Sequence, residues 1–154
     1  MPEGRIQVLA HHTPDIVWQA RWTAHPNRIV SLEAVLVLVD DPSEAAARFG
    51  RFLGRVPLRR DDARLVLPLD RGIFVFTDDA TRFGISAMAR PCIAAYALGS
   101  AEPGVSVQHF EAGGAERVVS GHAATGEGAR LDLPPALGGH VVIDRPGRLP
   151  DWAR

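Results

Sequence analysis

Apolar and polar positions alternate over Arg5 to Ala10 (RIQVLA), where Ile6, Val8 and Ala10 share one side, and this period of two predicts a short strand. Residues 11–28, HHTPDIVWQARWTAHPNR, carry two X-Pro steps and no sustained period, so they read as an extended connector laid over a surface. From Leu32 to Val39 (LEAVLVLV) the chain is mostly apolar and rich in valine, as a strand covered on both faces requires. It runs directly into DDPSEAAARFGRFLG. There Asp41 is placed as N-cap, Pro42 takes the first helical position, where a missing N–H is harmless, and Glu44 completes a capping box. Ala45, Phe49, Phe52 and Leu53 fall on one face of that helix, and Gly54 ends it in the left-handed conformation. Three strand-like pieces follow, Val56 to Leu58, Arg64 to Leu69 and Gly72 to Phe76, separated by the polar turn RRDDA and the tight LDRG. The order is β-α-β-β-β.

The second half repeats this order with weaker signals. Cys92 to Leu98 is strand-like, Ser106 to Ala112 supports a short helix with Val107 and Phe110 inward, and Gly113-Gly114 stops it. Glu116 to Ser120, Ala129 to Leu133 and His140 to Ile143 then supply three more strands. LVLPLDRGIFVFTD (Leu65 to Asp78) overlays LDLPPALGGHVVID (Leu131 to Asp144) at one constant offset, matching Leu65/Leu131, Leu67/Leu133, Pro68/Pro134, Gly72/Gly138, Val75/Val141 and Asp78/Asp144. Common element order and this offset together predict a duplicated unit. We place a strand and connector at 1–28, the paired units at 29–146 (29–80 and 91–146) and a tail at 147–154.

Composition narrows the chemistry. The 154 residues are 46% hydrophobic and 23% charged, an ordinary globular balance that excludes disorder and coiled coil. Seventeen basic residues against 18 acidic give a net charge of −1 with no block of one sign, so neither nucleic acid nor an anionic membrane is an expected partner. Every basic residue is Arg, which removes Schiff-base chemistry on lysine. The single Cys92 cannot form an intrachain disulfide, and no apolar run is long enough to span a bilayer or resembles a secretory leader, so the expected location is cytoplasmic. Nucleotide loops of the G-x-x-x-x-G-K-S/T or G-x-G-x-x-G type and C-x-x-C pairs are absent.

Paired β-α-β-β-β units, with a first strand running into a D-D-P-capped helix and a glycine-led last strand, resemble the vicinal oxygen chelate superfamily of glyoxalase I, extradiol dioxygenases and bleomycin-resistance proteins. The resemblance covers residues 29–146 and implies an α+β fold: a cupped mixed sheet of two βαβββ units, helices on its convex side, preceded by a short strand and connector. HHTPDIVWQARWTAHPN is similar to a mid-chain segment of longer glyoxalase-like proteins, so the chain resembles the C-terminal part of that arrangement. Metal-using members place one ligand on the first strand and a carboxylate on the last strand of each unit, leaving positions open for substrate oxygens. In the L-D-H-V pattern the His position falls on Ala34 and, in the second unit, on or beside Ala95. In the G-x-x-x-E pattern the Glu position falls on Phe76 and on Val142 or Ile143. Methyl and benzyl groups donate nothing to a cation. The resemblance therefore implies an apolar cup lined by Ala34, Phe76, Ala95 and Val142, without the usual metal and with no cofactor.

Few polar residues stand out as candidates. His11, His12 and His25 form a histidine-rich stretch that serves either as metal ligands and acid/base groups or to fix the path of the connector; adjacent His11 and His12 point to opposite sides of an extended chain. Trp18 and Trp22 share a face if residues 14–22 are helical. His109 and His122 read as solvent-exposed, whereas His140 is placed on a cup-lining strand. Arg82 and Arg90, between the units, sit where a guanidinium clamps an anionic ligand at the rim or simply forms a surface ion pair. The leading functional expectation is a glyoxalase-like binder of a small organic molecule, oriented by His140 or Arg90. A metal-dependent lyase, isomerase or dioxygenase using a divalent metal on His11, His12, His25 or His140 is the enzymatic alternative. A third is an assembly module, a homodimer paired through the Arg5 to Ala10 strand.

Overall fold

The computed structural model describes residues 10–85, 88–118 and 128–154. The strand expected at Arg5 to Ala10, with the dimer contact assigned to it, therefore lies outside the described residues except for Ala10, as does His122.

The connector is helical in part, which corrects the expectation of an extended chain. Pro14 opens a single turn, α1 (Pro14–Val17), and a second, α2 (Ala20–Thr23), follows after a break at Trp18 and Gln19. Proline fits the first turn of a helix because its N–H would have no partner there. Trp18 falls in the break and Trp22 in α2, so they share no helix face, and at 65% and 66% exposure neither packs on the domain.

Eight strands form one open mixed sheet in the order β2-β3-β4-β1-β5-β8-β7-β6. The first unit comprises β1 (Ile29–Leu38), α3 (Pro42–Leu53), β2 (Leu58–Arg59), β3 (Leu65–Pro68) and β4 (Ile73–Thr77). The second comprises β5 (Cys92–Ser100), α4 (Pro103–Ala112), β6 (Glu116–Val118), β7 (Ala129–Asp132) and β8 (His140–Asp144). Within each unit the first and last strands run parallel, β1 with β4 and β5 with β8. The units join edge to edge through the antiparallel β1/β5 ladder, so the sheet is continuous from β2 to β6.

The α3 signals hold at both ends. The Asp41 side chain accepts from the Glu44 N–H at 2.9 Å, and Gly54 caps the other end at φ 64°. The Glu44 carboxylate binds Arg48 one turn on. Removing the cap in Asp41→Ala is expected to cost about 1 kcal/mol in urea unfolding, with the slope unchanged. The buried face of α3 is Ala45, Ala46, Phe49 and Gly50, whereas Phe52 is exposed, a correction to the expected face. Phe49 meets Phe74 and Phe76 edge-on at 5.5 and 5.0 Å between ring centres, which anchors α3 on β4. Val56 is exposed and β2 begins only at Leu58, because Pro57 packs against Gly50 instead of joining the ladder.

The duplication is real but its register differs from the constant offset. Pairing within the units equates Ala34 with Ala95 and Ile73 with His140, since each first-strand residue faces its last-strand partner. Gly72 then corresponds to Gly139 instead of Gly138. A Cβ on Gly72 would lie 2.8 Å from the Leu32 carbonyl oxygen, and one on Gly139 would run into that of Ala94. Both glycines have positive φ, 77° and 71°, so they do the same work of letting the last strand close on the first. The Val75/Val141 match fails for the same reason: Val75 packs on the helix-free face, Val141 beneath α4.

Two layers cover the sheet. The helical face holds one cluster under α3 and another under α4. The opposite, inner face of the first unit presents Leu36, Leu38, Val66 and Val75, and on it sit Ile85 from the inter-unit segment and Trp152 and Ala153 from the C-terminal turn.

Candidate inner-face site around His140

The two inner faces have diverged in polarity. Through the paired registers, Val66 and Ile73 of the first unit occupy the places of Arg130 and His140 in the second. The alternation of β7 (Ala129 and Leu131 under α4, Arg130 and Asp132 inward) brings a guanidinium and a carboxylate to the inner face, and Glu116 on β6 faces Asp132 across the ladder. The result is a cleft of about 410 Å³ with this polar floor. Ile85, Met88, Leu133 and Pro134 supply apolar walls.

Arg130 builds the wall of the cleft. Its guanidinium donates to the carbonyls of Phe83 at 3.0 Å and Gly84 at 2.6 Å and pairs with Asp132 at 3.3 Å, tying the inter-unit segment down onto β7. A side chain at Gly84 would collide with it.

His140 lies at the bottom, 1% exposed, and neither ring nitrogen has a hydrogen-bond partner. Burial, reinforced by the positive charge of Arg130, lowers its pKa from 6.5 to about 3. The imidazole is thus neutral at pH 7, with one N–H donor and one acceptor. A base that takes up a proton only near pH 3 has little driving force for proton abstraction at neutral pH, so the group recognises hydrogen-bonding partners better than it moves protons.

Trp152 lines two further spaces, one of about 40 Å³ with His140 and Val142 and an open one of about 540 Å³ bordered by Arg64, Arg82 and Asp151. Arg64 and Arg82 converge on Asp61 at 2.7 and 3.0 Å. Burial opposes the charge on Asp61, but hydrogen bonds from Arg64 and the Ala63 N–H, with both arginine charges, hold its pKa below the ordinary value.

No protein-family model matches the chain, and no curated protein matches it. Solved structures do. Methylmalonyl-CoA epimerase from Mycobacterium tuberculosis superposes with a TM-score of 0.53 at 16% identity, over 84% of this chain and 97% of that one. The chain has the vicinal oxygen chelate fold. A xylose isomerase-like TIM barrel/4-hydroxyphenylpyruvate dioxygenase fusion protein gives 0.54 at 16% identity over 82% of this chain, and a catechol 2,3-dioxygenase 0.52 at 17% over 77%. The matched parts are 20% and 39% of those longer chains.

The vicinal oxygen chelate fold places the expected residues unevenly. Ala34 and Ala95 do face inward at equivalent positions, but they are fully covered, Ala34 within the cluster that holds Trp152. Val142 faces inward beside His140. Phe76 points to the helical face, against Phe49, and lines no cavity of the inner face. Arg90 donates to the Asp78 carbonyl and pairs with Asp40 at 3.6 Å, outside the linings of the three cavities above. Burial raises the Cys92 thiol pKa, with Arg90 opposing, so it remains a thiol.

The metal ligands of the fold do not fit these residues. A cation on the inner face would meet the methyl groups of Ala34 and Ala95 and the valines 75 and 142, and among the described residues no three His, Cys, Asp or Glu side chains converge. The connector histidines lie elsewhere: His11 stands edge-on to Trp18, and His25 accepts from the Asn27 N–H and stands edge-on to His109 on α4. Sequence reasoning missed Arg130, Asp132 and Glu116. The signal for Arg130 and Asp132 is the period of two in ARLD, and Glu116 follows only from the pairing of β6 with β7.

Proposed function

We propose that the protein binds a small, uncharged, partly apolar organic molecule carrying a hydroxyl or amide group in the inner-face cleft of its second unit. The observation that carries this is His140: a buried neutral imidazole with both nitrogens unpartnered at the floor of an open cleft. Leaving such a group without partners costs on the order of 1–3 kcal/mol, and a ligand that supplies one acceptor and one donor recovers it. The charges of the cleft oppose an anionic ligand, since Arg130 is neutralised by Asp132 and held by two carbonyls while the Glu116 carboxylate also lines it. The apolar walls receive the rest of the molecule. Binding, and not metal-assisted chemistry, is the reading these donors support.

Thermal unfolding in the presence of phenol and catechol tests it. At a concentration near 100-fold above the dissociation constant the midpoint should rise by about 5–10 °C, and by far less with benzoate. In His140→Leu the rise should vanish. A rise of equal size in that variant, or none in the native protein up to millimolar ligand, defeats the proposal.

A further inference from the structure

Four alanines, Ala34, Ala94, Ala95 and Ala97, hollow out the centre of the inner face, and the indole of Trp152 belongs to the buried cluster they form. The ring is 6% exposed, yet its Nε1–H reaches no acceptor. Trp152 is carried on one 3-10 turn, Asp151–Ala153, which joins no strand. The polar contacts of the turn include an Arg64 donation to the Asp151 carbonyl at 2.7 Å, the Ala153 N–H to the Pro150 carbonyl, and bonds of Arg154 to the Leu149 carbonyl and the Asp151 carboxylate. The same residue borders both the small space at His140 and the larger open region towards Arg64. One side chain thus lines both spaces.

We infer that the C-terminal turn is a displaceable plug, and that Trp152 occupies a subsite for a planar aromatic ring whose polar edge points at His140. A bicyclic aromatic with a ring N–H or hydroxyl fills the hollow over the alanines when the turn swings out. This inference rests on the proposed binding role of the inner face and extends that site into the first unit.

Two measurements test it. In the native protein, hydrogen exchange followed by NMR compares the Ala153 amide, which bonds to the Pro150 carbonyl, with the Leu36 and Val37 amides of the central strand. A plug opens without global unfolding, so Ala153 should exchange at least 100-fold faster than those two and insensitively to dilute urea. Exchange of Ala153 at the rate of the central strand overturns the inference even if Trp152 variants fail to fold. Next, Trp152→Gly is titrated with indole, followed by its thermal midpoint. Stabilisation at least fivefold larger than in the native protein supports the subsite, whereas a folded variant that gains nothing from indole overturns it. Neither failure touches the cleft at His140, which phenol binding probes separately.

Discussion

Acidifying the native protein from pH 7 to pH 4 is expected to weaken it by about 3 kcal/mol more than the His140→Leu variant. The sign follows from the two states of one imidazole. In the unfolded chain His140 takes up a proton below its ordinary pKa of 6.5, whereas in the folded protein burial and then Arg130 hold the value at about 3. Between those limits the unfolded state binds the extra proton, so stability falls as the pH drops, by about 1.4 kcal/mol per unit, and the loss levels off near pH 3. Above 6.5 the residue contributes no slope. Carboxylates held low in the folded state, such as Asp61, add their own loss in more acidic solution in both proteins, so the difference between native and variant isolates the imidazole. At pH 7 the leucine variant should equal or exceed the native protein in stability, because an apolar side chain removes two unpartnered buried nitrogens. Urea titrations at pH 7, 5.5 and 4 measure all of this; parallel pH profiles for the two proteins would contradict it.

The other large effect belongs to the neighbouring glycine. Gly139→Ala should destabilise the protein by on the order of 3–5 kcal/mol, and Gly72→Ala by a comparable amount. Each combines a positive φ with a methyl group driven into a backbone carbonyl of the first strand of its own unit, Ala94 for Gly139 and Leu32 or Glu33 for Gly72. Those carbonyls sit in strands buried at the centre of the sheet and cannot retreat without opening a ladder. Gly54→Ala is the control: its φ is 64° but nothing lies near the added methyl, so only the conformational term of about 1–2 kcal/mol remains. Chemical unfolding of the three variants should separate these terms, and a Gly139 variant no weaker than the Gly54 variant would falsify the closure role.

What the sequence disclosed follows the range of the forces involved. The Asp41-Pro42 start of α3 and its Gly54 stop were readable because capping is local. The two βαβββ units were readable because strands and helices carry different apolar periods. The register of the repeat was not, since two adjacent glycines, 138 and 139, offered two alignments, and a slip of one residue exchanges the faces of a strand. Phe76 is expected inward because the G-x-x-x-E pattern counts four residues on from Gly72, whereas the inward residue is Val75, three on. The site was only partly legible: His140 stood out as a strand histidine, but its loss of partners, the anchoring of Arg130 on Phe83 and Gly84, and the insertion of Trp152 all depend on contacts between distant segments. In the connector, local proline chemistry at Pro14 created turns that hydrophobic periodicity does not register.

The antiparallel ladder between β1 and β5 has a mechanical consequence. The two units are joined by a ladder along a ten- and a nine-residue strand, which continues through three register shifts. Clamshell motion of one unit against the other would have to break the longest ladder among the described residues. If the inner face takes a ligand as proposed, the elements free to move for its entry are the peripheral ones, the Thr81–Phe83 turn bonded to Arg130 and the C-terminal turn, and not the units themselves.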